Sequence, residues 1–357
     1  MASEEAIENH NTLFLLDGNV ILSAPSSENS DTAFRVHQSL LMRHSGFFRN
    51  VLSDVDALEK RDSMPFIRLS TPAERVECLL QYIYGDLCVF FFFNHALIKA
   101  LCKFSTIPLR RLSPSNISTM KHLLQLSTSH DIPQIRTQLI PRLEQDWPST
   151  LFHWDALEVE IDGLKNVWMD DPVPSYFDDY LPEPASAIRL GFECHVPSIL
   201  PAAFYHLSRL TILQDRRASR KDPECMKHRE LSLRTADWGA LAASDFIYLM
   251  KGQHRLSLAV DEMVLDEPRL YSLPKEHFTQ GCSLDGQWEF WNEIKRSCKK
   301  THDILKLLNE HAQQVQSRTD FCYACRLDIQ RALKDMRQEL WSRLAEYFGF
   351  AYRDTLY

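Results

Sequence analysis

The sequence predicts an α+β fold: an N-terminal domain of short strands and helices, followed by an all-α C-terminal domain. Three observations carry this. Residues 13–37 read as short strands, with an Asp17-Gly18 turn and period-two alternation at Phe34–His37. Residues 71–85 read as a punctuated amphipathic helix. Beyond residue 185 the apolar residues recur at helical spacing, without a strand signal. Strands first and helices after is the α+β pattern.

Each element has a local cause. Leu13–Leu16 and Val20–Ala24 are apolar runs joined by Asp17-Gly18 and read as a hairpin, with a polar loop leading to a third strand at Phe34–His37. Leu40, Leu41, Phe47, Phe48, Val51 and Leu52 suit two short helices broken at Ser45-Gly46, and Phe66–Leu69 is a further strand. Thr71 and Glu74 form a capping box with Pro72 at the first helical position. Val76, Leu79, Leu80 and Ile83 make one face, and Gly85 is read as the stop. Ile117, Met120 and Leu124, then Ile135, Leu139 and Leu143, mark two more helices, and the domain is expected to end near Trp147. Residues 147–184 are acidic and proline-containing and read as a linker or loosely held helix. In 185–357, helices are expected around Leu200–Leu207, Trp238–Leu258 and Trp288–Leu308. A last helix carries the stripe Ile329, Leu333, Met336, Leu340 and Leu344.

Composition bounds the function. The 357 residues are 45% hydrophobic and 25% charged, a globular profile long enough for two domains. Lysine and arginine total 40 against 48 acids, a net charge of −8, so no overall positive field attracts nucleic acid. The start of the chain is acidic where a secretory signal is basic. The longest greasy run, Leu87–Phe93, falls far short of the roughly 20 residues of a membrane span. Nine cysteines, an odd number, then read as reduced thiols. The expectation is a soluble protein of the cytoplasm or nucleus.

Phe34-Arg35-Val36-His37-Gln38-Ser39-Leu40-Leu41, running into Ser45-Gly46-Phe47-Phe48-Arg49, resembles the BTB/POZ domain, with its Phe-x-x-His-x-x-x-Leu and Ser-x-x-Phe segments. Ile67-Arg68-Leu69 through Leu79-Leu80-Gln81-Tyr82-Ile83-Tyr84 looks like the next block of that domain. Leu123–Leu126 and Ile135–Leu143 are similar to its closing helix pair. The match covers residues 12–146, and the whole layout is similar to fungal BTB proteins with a helical C-terminal extension. The resemblance implies a non-enzymatic adaptor that forms a homodimer and offers a second surface to a partner, a cullin of a ubiquitin ligase or a corepressor. It places Asp17, His37, Leu40, Leu41, Phe47, Phe48, Tyr82 and Tyr84 at the dimer or partner interface. Read as residues alone, His37 equally suits a core histidine capping the next helix, and Asp17 a plain turn residue. One departure stands out. Leu87–Leu112 fills what is a short loop in the family, and reads either as an extra amphipathic helix or as translated intron.

Catalytic signatures are sparse. No glycine-rich phosphate loop, Gly-x-Ser-x-Gly or His-Glu-x-x-His occurs. Cys322-Tyr323-Ala324-Cys325 is the one Cys-x-x-Cys, and two thiolates so spaced suit Zn²⁺ if Cys282, Cys298, His277 or His302 complete the site. That gives the alternative function: a transcription-associated or structural scaffold whose helical domain is stabilised by a zinc ion. Without a second pair at metal spacing, the two cysteines also suit a packing contact at a helix entry, or a redox dithiol. Arg216–Lys221 is a basic cluster, read as a nuclear-import signal, a phosphate contact or a solvated face.

Overall fold

The computed structural model describes residues 7–26, 30–91, 111–114, 116–171, 175–221, 234–265 and 284–350. The chain divides into two compact units, Met1–Arg142 and Leu143–Tyr357. The first contains β1 (Ile7–Phe14), β2 (Val20–Pro25), β3 (Asp31–Val36), β4 (Lys60–Arg61) and β5 (Met64–Arg68), in the sheet order β1-β3-β2-β5-β4. β2 runs antiparallel to β3, with Leu22 opposite Phe34, and parallel to β5, with Leu22 opposite Ile67. β1 runs parallel to β3, Ile7 opposite Asp31.

The expected β1–β2 hairpin is therefore corrected: β3 lies between the two strands. The cause is polarity. Five of the six residues of β2 are buried, so it fits only the interior of the sheet, whereas the mostly exposed Ile-Glu-Asn-His-Asn-Thr run of β1 fits an edge. The Asp17-Gly18 turn does reverse the chain, but it steps across the end of β3. Leu15 N donates to Arg35 O at 2.9 Å and Asn19 N to Val36 O at 2.9 Å.

Around the sheet lie α1 (Gln38–His44), α2 (Gly46–Val51), α3 (Ala73–Phe91), α4 (Asn116–Ser129) and α5 (Pro133–Asp146), the last running past the boundary between the units. The break at Ser45 is as expected. Its hydroxyl accepts from Phe48 N at 3.1 Å, capping α2, and donates to His130 O at 2.6 Å. α3 continues through Gly85 to Phe91, against the expected stop. One interior glycine costs a helix only about 1 kcal/mol relative to alanine. Of the Leu87–Leu112 segment, residues 92–110 lie outside the described residues. The core is mainly apolar: Leu22, Phe34, Leu41, Phe48, Leu80, Ile83 and Leu123 are fully buried, with Ser23 and Ser45 as buried hydroxyls among them.

The second unit is helical: α6 (Leu151–Asp170), α7 (Pro184–Glu193), α8 (Leu200–Ser208), α9 (Arg216–Ser219), α10 (Ala243–Leu265), α11 (Leu284–Cys298), α12 (Ile304–Gln314), α13 (Tyr323–Ser342) and α14 (Leu344–Tyr347). Among its described residues the one β contact is an isolated Asp215–Ala236 bridge. α8 is apolar and buried on nearly all sides, as a central helix must be. The α10 backbone at Gly252 lies so close to the Phe348 ring that a Cβ there would sit 1.8 Å from it. Within the 147–184 segment, expected as a linker or loosely held helix, residues 151–170 form a helix, and 172–174 lie outside the described residues. α6 is 20 residues long, Thr150 caps it by accepting from His153 N at 3.3 Å, and Trp154, Leu157, Ile161 and Trp168 bury one face. Its acids alternate with that face and mask it in the composition. No helix among the described residues is long and apolar enough to cross a membrane.

Candidate functional site

The Leu15–Asn19 turn is pinned to the junction of β3 and α1. A Cβ at Gly18 would lie 2.9 Å from the backbone of Arg35 and Val36, so only glycine allows this approach. Arg35 Nε donates to Gly18 O at 2.8 Å, and the first amide of α1, Gln38 N, donates to Asn19 Oδ1 at 2.8 Å. Helix α1 is thus capped by the turn. His37 occupies the N-cap position, yet its side chain makes no capping bond.

The ring of His37 instead links two elements. Tyr84 Oη, on α3, accepts from His37 N at 3.0 Å and lies 2.8 Å from Nδ1. Burial pushes the Tyr84 phenol up to about 12, so it stays protonated. The other ring nitrogen, Nε2, faces Asp17 Oδ2 at 3.2 Å. Asp17, His37 and Tyr84, three of the eight residues singled out by resemblance, therefore meet at one end of the sheet. A phenol this hard to ionise, bonded to a backbone amide and an imidazole, is an anchor rather than a base.

The other five separate. Leu41 and Phe48 are fully buried within the single chain. Leu40 and Phe47 are half-buried, and Phe47 meets the His130 ring edge-on at 5.1 Å. Tyr82 donates to Gln138 Oε1 at 2.9 Å, tying α3 to α5.

Cys322 caps α13, its Sγ accepting from Cys325 N at 3.5 Å, and buried Cys325 Sγ accepts from Gln287 Nε2 at 3.4 Å. Burial pushes the Cys298 thiol up to about 11. Cys282 lies outside the described residues. Among the described residues no group of three His, Cys, Asp or Glu side chains is placed to hold a metal ion.

Sequence reasoning missed a buried ionic network in the second unit. Arg209 on α8's C-terminal edge pairs with Glu158 through two hydrogen bonds of 3.1 Å and with Asp303 at 2.8 Å. Arg234 donates to the same Glu158 at 3.2 Å. Tyr205 donates to Asp303 Oδ1 at 2.9 Å and accepts from Leu305 N at 3.0 Å. His206 Nδ1 lies 2.8 Å from Arg209 Nη2, which only an unprotonated nitrogen can accept. Burial, then the two arginines, hold His206 well below the usual histidine range. Burial raises the Glu158 carboxyl, but Arg209 and Arg234 outweigh it and leave the group lowered. Two cations and two carboxylates balance, so the network is a clasp between distant segments. A void beside His206 and Arg234, lined by Asp178, Glu183, Arg216 and Thr235, measures about 10 Å³. That is room for about one water molecule.

The basic cluster is also paired. Arg220 donates to Asp178 at 3.0 Å and to Asp179, and lies 4.5 Å over the Tyr176 ring. Arg216 reaches Asp179 at 3.5 Å and Arg217 reaches Asp237 at 2.8 Å. Two arginines of the basic run, Arg216 and Arg220, thus pair with Asp178 and Asp179 of the acidic run, which is separate in sequence.

Compared with known proteins, the chain matches no family model, no curated protein and no solved structure.

Proposed function

We propose that the chain is a non-enzymatic adaptor whose first unit self-associates through the end of its sheet, where the Leu15–Asn19 turn meets α1. The supporting observation is the Asp17–His37–Tyr84 relay. It holds a polar pair rigid at the surface, flanked by Leu16, 87% exposed, and by half-buried Leu40. Apolar side chains around a well-positioned polar pair are the makings of a contact patch. A two-fold interface brings the same patch of both copies together, so it needs donor and acceptor within one patch. Asp17, 81% exposed, and His37 supply both. β1, one of the two edge strands, lies in the same unit and offers an edge for strand pairing.

The resemblance to BTB/POZ proteins supplies the partner class: a cullin or a corepressor bound by the first unit, with the helical unit as the client arm. The test is sedimentation equilibrium of the full chain beside the Leu16→Glu, Leu40→Glu double variant. A dimeric parent and a monomeric variant with an unchanged circular dichroism spectrum are expected. A parent that stays monomeric at every accessible concentration overturns the reading.

A further inference from the structure

Arg216-Arg217-Ala218-Ser219 places two arginines two and three residues before a serine. We propose that Ser219 is a phosphorylation site for an arginine-directed protein kinase, one whose acidic substrate groove reads guanidinium groups, and that the phosphate releases the 175–180 segment from α9. Charge patterns of this kind are how kinases choose substrates. The site is within reach. Arg217 is 64% exposed, Ser219 is half-buried, and α9 is a single four-residue turn, marginal as a helix and cheap to open.

In the step itself, Ser219 Oγ attacks the γ-phosphorus of ATP and forms the ester bond. The bond from that phosphorus to the β,γ-bridging oxygen breaks, ADP leaves with its electrons, and the hydroxyl proton passes to the kinase's catalytic carboxylate.

The consequences arise from the groups around Ser219. Its hydroxyl donates to Arg216 O at 3.0 Å, and the ester has no proton to give. Close to two negative charges arrive at the C-terminal end of α9, where backbone carbonyls already point. They also arrive beside Arg220 and on the same helix face as Arg216, three residues back. Those two guanidinium groups now hold Asp178 and Asp179. A phosphate with three acceptor oxygens outcompetes a carboxylate for them. Asp178, 5% exposed, then loses its arginine, and a buried carboxylate without a cation is strongly unfavourable. The segment that carries Tyr176, Asp178 and Asp179 comes away.

The test treats the folded full chain with a purified arginine-directed kinase and ATP, maps the phosphate by mass spectrometry, and follows amide hydrogen exchange. Phosphate at Ser219 is expected, absent in Ser219→Ala and reduced about tenfold in Arg217→Gln. Amides of 176–181 are expected to exchange about tenfold faster after modification. A folded chain left unmodified at Ser219, whether or not a peptide of residues 213–224 is phosphorylated, overturns the proposal. So does a phosphorylated chain whose 176–181 amides exchange at the original rate.

Discussion

Tyr84 and His37, 47 positions apart, exchange two hydrogen bonds: the phenol oxygen accepts from the histidine backbone at 3.0 Å and faces its Nδ1 at 2.8 Å. The contact orients the ring so that Nε2 faces Asp17 Oδ2 at 3.2 Å. One α3 residue thereby positions the polar pair at the end of the sheet.

Tyr84→Phe removes that anchor and leaves a partly buried amide and a ring nitrogen without their partner. It is expected to lower stability by about 1–3 kcal/mol, read from urea denaturation of the full chain. An unchanged midpoint contradicts the relay.

Gly18→Ala forces a methyl group to within 2.9 Å of the Arg35 and Val36 backbone, which has no flexible atom to yield. Displacement of the turn is expected to cost about 1–3 kcal/mol. Hydrogen exchange at the Leu15 and Asn19 amides, which bond across to β3, is expected to quicken in the variant.

The elements of this fold were largely legible, and their pairing was not. The Ser45 break, β2, β3, β5 and the Leu333–Leu340 helix all have local signals: a cap, a period, an apolar run. Asp17-Gly18 announces a reversal but says nothing of the strand that fills the gap. Gly85 looks like a stop, yet the apolar Leu87–Phe91 run carries the helix on beyond it. Asp17, His37 and Tyr84 were separately nameable, whereas their meeting depends on how α3 crosses the sheet. Arg209, Glu158 and Asp303 are 51 and 94 positions apart, and each alone looks like an ordinary surface charge. The acids of 155–184 masked a buried helix because one face of α6 is apolar and composition averages both faces.

Arg209→Met tests the clasp. It strips Asp303 and half of Glu158 of their cation while keeping the volume, and is expected to destabilise the second unit by about 3–5 kcal/mol, measured by thermal unfolding. A near-neutral effect shows that the carboxylates find water instead.

Acid acts on the same network in two stages. The folded-state value of His206 lies below its unfolded value of 6.5, so the unfolded chain binds more protons between them. The contribution of His206 is complete above pH 6.5 and is lost as pH falls through the folded-state value. Glu158, lowered from 4.5, adds a second loss beginning below that pH. Denaturation midpoints across pH 4 to 8 are expected to drop on acidification, with the upper stage flattened in His206→Gln.

The most direct test of self-association places a photoreactive phenylalanine analogue at Leu16, with Leu213, 88% exposed in the second unit, as the control position. Irradiation of the full chain is expected to give a covalent dimer from position 16, cross-linked within residues 16–40 of the second copy, and none from position 213. A position-16 protein that remains monomeric, or cross-links elsewhere on the second copy, contradicts the account.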